Sequence, residues 1–392
     1  MKEQGSQPTD RQVPFGRPIT AAEEREAIGR VLDSGLLVHG PVLRQFESLF
    51  ARFTNAPHAI GTSSCTAALH LAYHALGIGS GDEVIVPAQT HTATAHAVEL
   101  VGAKPVFVDA DETTGNVAIE QIEPLITGCT RAISIVHFLG LPVDMQLVCR
   151  LAERHGLHII EDCALALGAS LEGTHVGLWG TVGCFSFYPI KHITTAEGGM
   201  AITRDGELAA KLSHLRAFGV DRQQGERRIP GMYDVTMVGY NYRMSEIHAA
   251  IGQVQMDRLP GFLARRKQNY AVLTQGLREI EEIDLLKSGV ADRISSHYCH
   301  ALILKPKWAA RRNDLIKELG ERGVGTSIYY PRPVPLMTHY REKYGYREGD
   351  FPSASRISDR SIALPVGPHL GTDDMEYITI AVKEAICRVT GG

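Results

Sequence analysis

The chain has 392 residues, and its 40 lysine and arginine residues against 44 aspartate and glutamate residues give a formal net charge of −4. A chain of this length favours two lobes over a single core. The small net charge, without a long basic run, argues against binding along a nucleic-acid backbone. Hydrophobic residues make up 44% of the chain, a composition that argues against a disordered or fibrous protein.

The polar start MKEQGSQPTDRQ lacks the apolar segment of a signal peptide, and no later apolar run reaches the length of a membrane span. The seven cysteines are scattered, which indicates neither a disulfide framework nor a zinc knuckle. His70 and His74 stand four apart without the glutamate of an HExxH pattern, so they are a weak metal signal. We therefore expect a cytoplasmic protein with reduced thiols and no metal site.

Between residues 60 and 203 short β-branched runs alternate with longer amphipathic stretches, which is typical of repeated βα units. The alternation predicts a mostly parallel sheet with helices on both faces. Predicted helices cover residues 66–76, 117–126 and 145–155. Predicted strands cover residues 83–86, 106–109, 132–137, 158–162, 182–187 and 200–203.

After residue 205 the pattern changes. Residues 220–241 combine glycine, proline and polar residues with little periodicity, which predicts a loop that orders on binding. A helical pattern follows over 245–280, and the remaining chain predicts strands at 298–304 and 325–329 with helices at 308–322 and 372–389. We therefore expect a large α/β domain at 16–260 and a small C-terminal α+β domain at 261–392, with residues 1–15 associated.

Two segments place polar groups at the ends of predicted strands. In GTSSCTAALHLAYHAL a strand leads into a helix start rich in small polar residues, where free backbone N–H groups suit a phosphate; an ordinary helix cap explains the same residues. In HIIEDCALALGAS a buried strand ends in Glu161 and Asp162, and such ends face the ligand crevice of a parallel sheet. Asp162 could hold a protonated pyridine nitrogen or lie in the first turn of a helix.

The segment CFSFYPIKHITTAEGGMAIT places Lys191 after a strand that Pro189 interrupts. Gly198 and Gly199 permit positive φ angles and a close approach of the backbone to whatever Lys191 holds. A lysine beside a strand end is usually a solvated surface charge. The apolar, glycine-lined setting instead favours a lowered amine pKa and a nucleophile able to form a Schiff base.

Further motifs occur along almost the whole chain: SGLLVHGPVLRQFE, GIGSGDEVIVPAQTHTATAHAVELVGAKPVFVD, HFLGLPVDM, GYNYRMSEIHAAIG and IYYPRPVPL. With them the chain resembles the DegT-type sugar nucleotide aminotransferases, which depend on pyridoxal 5'-phosphate. The resemblance implies aminotransferase fold type I, an α/β fold whose large domain has a mostly parallel sheet flanked by helices, plus a smaller C-terminal α+β domain. It also implies a homodimer with its active site at the interface, and a place in lipopolysaccharide or antibiotic biosynthesis.

The resemblance implies a catalytic role for one residue and cofactor contacts for the others. Lys191 forms the Schiff base with pyridoxal phosphate and later moves the proton, while Asp162 holds the pyridine nitrogen. Leu165 stands where the family commonly has Gln or His for the cofactor's 3-hydroxyl, and it can make no hydrogen bond there. The remaining cofactor contacts are the backbone amides of Cys65 and Thr66 and the hydroxyl of Ser186 for the phosphate, His91 for ring stacking, and Asn241 for the phosphate across the dimer interface.

The implied reaction moves an amino group from L-glutamate or L-glutamine to a 3-keto or 4-keto-6-deoxy hexose carried on a nucleotide. Arginines in the 220–234 loop could clamp the diphosphate or form a solvated face. Likewise His297, Tyr329 and Tyr330 could line a sugar pocket or pack in the core. Two alternatives are an aminotransferase for a free cyclic ketone such as an inosose and a non-catalytic regulator on the same fold. A dehydrogenase is disfavoured because no GxGxxG follows the first strand.

Overall fold

The computed structural model describes residues 11–220, 229, 232–289 and 292–391. The strands are β1 His58–Thr62, β2 Glu83–Pro87, β3 Lys104–Val108, β4 Thr130–Val136, β5 His158–Asp162, β6 Ser170–Leu171, β7 Thr174–His175, β8 Val182–Ser186, β9 Gly199–Thr203, β10 Ile283–Leu285, β11 Arg293–Ile294, β12 His300–Leu304 and β13 Ser361–Leu364. The α-helices are α1 Ala22–Ser34, α2 Pro41–Thr54, α3 Cys65–Ala75, α4 Thr92–Leu100, α5 Met145–His155, α6 Gly206–Leu215, α7 Glu246–Leu277, α8 Arg312–Glu321, α9 Thr338–Tyr344, α10 Pro352–Arg360 and α11 Thr372–Thr390. No helix in these ranges is both long and apolar enough to cross a membrane.

Seven strands form the large sheet in the order β1-β9-β8-β5-β4-β2-β3. The neighbours from β8 to β3 pair in parallel, whereas β9 runs antiparallel to both β8 and β1. The predicted mostly parallel sheet is therefore confirmed. The carboxyl ends of β4, β5 and β8 lie side by side, which is where such sheets bind ligands.

Both faces of this sheet are covered, because successive strand residues point to opposite sides. In β2, Val84 and Val86 pack in the core formed with α3, α4 and α6, while Ile85 packs in the core formed with α5. Beneath β8 and β9, Phe46 and Phe50 of α2 cover the face that points away from α3, α4 and α6. Helices therefore lie on both faces, as the sequence predicts.

A second sheet, with order β10-β12-β13, packs against α8, α11 and the end of α7 in a separate core. Val13 is fully buried in that core and pairs with Val324. Position 260, the predicted domain boundary, lies within α7, and Pro260 sits inside this helix. The division of the chain into domains at 16–260 and 261–392 stays a proposal.

Two predicted elements are wrong. Residues 117–126 form two short 3-10 turns, Ile119–Gln121 and Glu123–Leu125, rather than an α-helix, because Pro124 lacks an N–H and disfavours the helical conformation of the residue before it. Residues 325–329 form no strand. Their backbone groups bond to two different segments instead of to one strand. The Gly325 N–H donates to the Val13 carbonyl, and Ser327 exchanges hydrogen bonds with Ala363.

The other predicted helices are confirmed within a few residues, although 308–322 divides into a 3-10 segment, Pro306–Arg311, and α8. The predicted binding loop at 220–241 lies partly outside the described residues, and so do its Arg222, Arg227 and Arg228. The sequence analysis did not identify α1, α2, α4, α6, α9 and α10 as separate helices.

Candidate active site

A cavity of about 450 Å³ opens at the carboxyl ends of β5 and β8, beside the start of α3. Six of the seven residues assigned to the cofactor by resemblance line it: Cys65, Thr66, His91, Asp162, Ser186 and Lys191. Asn241 does not line the cavity, and its side chain is exposed. Strands from one sheet edge and two helix starts therefore bring together residues that are more than a hundred positions apart.

Lys191 lies in a turn after β8, where its backbone N–H donates to the Tyr188 carbonyl at 2.9 Å. Its amine Nζ lies 5.3 Å from the centre of the Tyr298 ring. Burial lowers the pKa of this amine, although nearby Cys65 and Asp162 act in the opposite direction. A lysine with a lowered pKa is more often unprotonated, which is the form that attacks a carbonyl.

Asp162 ends β5 and is 5% exposed. Its Oδ2 accepts a hydrogen bond from the Thr94 hydroxyl at 2.8 Å, and its Oδ1 accepts one from the Ala164 N–H at 3.0 Å. Thr94 is in turn bonded to Thr90. These contacts fix the carboxyl group while leaving it on the cavity wall, where it can pair with a ligand cation.

The start of α3 offers free N–H groups to the same cavity. Ser64 caps the helix by accepting from the Ala67 N–H at 3.0 Å, so the amides of Cys65 and Thr66, the first two of the helix, have no partner within it. Ser186 ends β8 beside them and also lines the cavity. This arrangement suits an anionic group such as a phosphate.

Gly199 allows the sheet to approach this helix start. A Cβ built on Gly199 would lie 2.4 Å from the Ser64 carbonyl carbon and 2.5 Å from the Cys65 backbone nitrogen. Neither Gly198 nor Gly199 adopts a positive φ, so the conformational freedom that glycine permits is not used at these two positions. What glycine provides at position 199 is the absence of a side chain, which lets β9 lie close to the backbone at the start of α3.

We expect Gly199→Ala to destabilise the fold by about 1–3 kcal/mol, because the added methyl group must push β9 away from α3. The change should also weaken cofactor binding. Gly29→Ala in α1 is the matched control: its Cβ would meet nothing within 4 Å, and alanine there should stabilise the helix by about 0.5–1 kcal/mol. Denaturant unfolding of both variants tests this, and equal stabilities would contradict it.

His91 caps α4, and its Nδ1 accepts from the Ala93 N–H at 3.1 Å. Its ring packs edge-on against Tyr330 with centroids 5.7 Å apart. Burial lowers the pKa of His91, which favours the neutral ring with its proton on Nε2. Its predicted stacking on the cofactor stays a prediction, and Leu165, buried and on the same cavity wall, offers no hydrogen bond to a ligand.

Four tyrosines line the cavity, one of which, Tyr188, follows β8. Tyr329 and Tyr330, whose role the sequence left open, line it together with Tyr298. The hydroxyls of Tyr298 and Tyr329 lie 2.8 Å apart. His297 is not among the lining residues and packs against Tyr270. Sequence reasoning missed Tyr298 and Thr94, since neither stands at the carboxyl end of a predicted strand or in a glycine-rich turn.

Asn241 lies on an exposed segment that is held against α3 by contacts of the two flanking tyrosines. Its neighbours Tyr240 and Tyr242 stack with centroids 5.1 Å apart, and Tyr242 is hydrogen-bonded to His70 at 3.0 Å. Asn241 itself is exposed and does not line the cavity of its own chain. The predicted contact with a partner's cofactor is untested by this geometry.

Behind the cavity, His137, Glu161 and Cys163 form a buried group with ligand atoms close enough for a metal ion. The Glu161 oxygens, however, already accept four hydrogen bonds, from His137 Nε2 and from the N–H groups of Gly177, Trp179 and Gly180. His137 Nδ1 accepts from the Val143 N–H. These contacts use both oxygens, so the group anchors β5 next to Asp162.

Glu161→Gln should therefore lower the free energy of unfolding by about 3–5 kcal/mol, since the amide turns two N–H donors toward donors in a dry interior. Glu26→Gln, at an exposed position of α1, is the control and should change stability little. Chemical denaturation measures both. A metal role would appear instead as a loss of stability on chelation of the wild-type protein.

The sequence from residue 18 to 383 matches the model of the DegT/DnrJ/EryC1/StrS aminotransferase family. The chain belongs to this family. It is 35% identical to the spore coat polysaccharide biosynthesis protein SpsC of Bacillus subtilis, over 95% of this chain and 97% of SpsC. It is 36% identical to DesV of S. venezuelae, with a TM-score of 0.87 over 95% of this chain and 98% of DesV.

A further structural relative is Spr1654 of Streptococcus pneumoniae, assigned as a sugar aminotransferase and solved in its PLP form. It is 29% identical, with a TM-score of 0.91 over 97% of this chain and all of that one. The predicted family, aminotransferase fold and enzyme class are therefore confirmed: the DegT-family chain is a pyridoxal-phosphate-dependent aminotransferase.

The donor set of the cavity fits this cofactor. The free amides at the start of α3 suit its phosphate, the Asp162 carboxyl suits a protonated pyridine nitrogen, and the Lys191 amine suits its aldehyde. The described lining residues contain two acids, Asp162 and Glu197. Neither belongs to the helix start at which a phosphate would sit.

Proposed function

We propose that this enzyme transfers an amino group from L-glutamate or L-glutamine to a keto sugar carried on a nucleotide, a 3-keto or 4-keto-6-deoxy hexose. The observation that carries the proposal is the convergence of Lys191 and Asp162 on one cavity beside the free amides of α3. A sugar acceptor is supported by SpsC, which acts in polysaccharide biosynthesis, and by Spr1654. The predicted cytoplasmic location and role in lipopolysaccharide or antibiotic biosynthesis stay predictions.

Bound pyridoxal phosphate supplies an electron sink for the carbon that loses or gains a proton. Lys191 is the group placed to hold and return that proton, and its lowered pKa makes the neutral amine accessible. Asp162, fixed by Thr94 and Ala164, keeps a positive charge on the ring nitrogen. The amides of Cys65 and Thr66 and the hydroxyl of Ser186 hold the phosphate.

The cavity volume, about 450 Å³, lies within the usual range for small-molecule sites. Tyr298, Tyr329 and Tyr330 offer ring faces and hydroxyls on its wall, and such side chains pack against sugar rings and hydrogen-bond their hydroxyls. We propose that the hexose lies against these tyrosines.

The test loads the purified enzyme with pyridoxamine phosphate and presents keto sugars on UDP, GDP or dTDP beside a free inosose. The expected result is return of the visible absorbance of the aldehyde cofactor with one or more nucleotide-linked sugars only. A response to the inosose alone would replace the proposed substrate class. A protein that binds no cofactor would be a non-catalytic regulator.

We propose further that the enzyme is a homodimer in which Asn241 reaches the phosphate bound by the partner subunit. Its exposure and its absence from the lining of its own cavity support this. The inactive variants Lys191→Ala and Asn241→Ala are mixed, denatured and refolded together. If Asn241 acts across the interface, mixed dimers hold one intact site, and the mixture regains about a quarter of wild-type activity for random pairing. No gain would place Asn241 outside the partner's site.

A further inference from the structure

A second, smaller cavity of about 20 Å³ shares only Ile190, Lys191 and Tyr298 with the cofactor cavity. That volume holds one or two particles the size of water. Its other walls come from the segment before α1, from the residues after Lys191, from α7 and from the turn before α11. They include Arg17, Thr194, Gln255, Arg266, Gly367 and His369.

Arg266 of α7 lines this cavity and is 4% exposed. Its Nη1 donates to the Tyr298 carbonyl at 2.7 Å and, at 3.5 Å, to the His297 carbonyl. Its Nε is buried and has no hydrogen-bond partner among the described residues. An arginine carries five N–H donors and stays protonated in proteins, so most of the donor capacity of this buried cation is unused.

No counter-charge for Arg266 is present within the described ranges. Burial lowers its pKa to about 10, which still leaves it cationic at neutral pH. The cavity lining contains two further cationic side chains, Arg17 and Lys191, and two histidines, His192 and His369, whose pKa values burial lowers, but no acid. A buried cation without an opposing charge is costly, and proteins rarely retain one.

The nearby acids Glu24 of α1 and Asp374 of α11 pair with groups other than Arg266. Glu24 accepts from Gln255 and pairs with Arg258 at 3.1 Å, and Asp374 pairs with Arg11 at 2.7 Å. Neither lines the cavity. Neither of these two acids is therefore placed to neutralise Arg266.

We propose that this cavity binds one small monovalent anion of the size of chloride, held by the guanidinium of Arg266. The anion supplies the missing counter-charge and lies behind the Lys191 turn, on the side away from the cofactor. It also fixes Arg266 against the Tyr298 carbonyl, and thereby the Tyr298 ring that contacts the Lys191 amine. The site does not depend on which substrate the enzyme uses.

The first experiment measures the ³⁵Cl NMR line width of the holoenzyme in sodium chloride. We expect excess broadening over buffer that bromide competes away and that Arg266→Gln removes. Arg265→Gln, an exposed neighbour on the same helix, is the matched control and should keep the broadening. Broadening that is absent from the wild-type holoenzyme, or that survives in Arg266→Gln, would overturn the proposal.

The second experiment needs no variant, so it decides the question even if Arg266→Gln fails to fold. Crystals of the wild-type holoenzyme are soaked in sodium bromide, and the anomalous signal of bromine is located. A peak in the cavity beside Arg266 supports the site, whereas peaks at the surface only, adventitious ions, would refute it. Neither experiment uses a keto sugar, so a wrong substrate assignment would leave both results unchanged.

Discussion

Lys191→Ala is expected to lower the rate of amino transfer by about 10⁴-fold or more, because the substitution removes both the nucleophile that binds the cofactor and the group that moves the proton. Among the described lining residues Lys191 is the single lysine. No second amine is therefore in place to substitute for it. The measurement is a steady-state assay of the variant saturated with added cofactor.

Borohydride reduction gives an independent readout of the same prediction. The wild-type holoenzyme should retain the cofactor covalently on the peptide that contains Lys191 after reduction and digestion, as shown by mass spectrometry. Lys191→Ala should retain none. Lys317→Ala changes a surface lysine of α8 with a 77% exposed side chain and should behave as wild type. Cofactor found on another lysine, or an active Lys191→Ala enzyme, would refute the assignment.

The sequence predicted the parts of the fold that depend on short-range pattern. The strands 83–86 and 158–162 combine β-branched residues with flanking turns, and both form as predicted because each is buried on both faces. The apolar spacing of residues 117–126 is that of a helix, but Pro124 lacks the N–H that an α-helix needs, and two 3-10 turns form instead. The segment at 325–329 failed for another reason: its hydrogen-bond partners, Val13 and Ala363, are remote in sequence.

In the candidate site, too, the residues with a local sequence signal could be predicted, and those brought in by remote contacts could not. Lys191, Asp162 and the start of α3 were found because each stands at a strand end, and a parallel sheet brings such ends to one edge. Thr94, which orients Asp162, and Tyr298, which contacts the Lys191 amine, come from distant segments without a local signal. Gly199 was noticed, but its role depends on its distance from Ser64, which only tertiary structure reveals.

Asp162→Asn should lower the rate of the half-reaction with L-glutamate by about 10²–10³-fold, the usual cost of removing one fixed electrostatic contact to a developing charge. The amide has nearly the volume of the carboxyl group. Its oxygen can accept from the Ala164 N–H while its NH2 donates to the Thr94 hydroxyl, which can turn its own proton to Thr90, so the fold should persist. It cannot, however, keep the ring nitrogen protonated, and the electron sink weakens.

Cofactor occupancy decides what Asp162 contributes. If the Asp162 carboxylate acts mainly by keeping the ring nitrogen protonated, the Asp162→Asn enzyme should retain most of its bound cofactor. Its rate constant measured at full occupancy should nevertheless fall. Thr94→Val, which removes the hydroxyl that orients the carboxyl group, should give a smaller loss of about 10-fold, the cost of one hydrogen bond to a charged group. Asp359→Asn, an exposed position of α10, should change neither quantity. Occupancy that falls in proportion to rate in Asp162→Asn would mean that the carboxyl group anchors the cofactor without activating it.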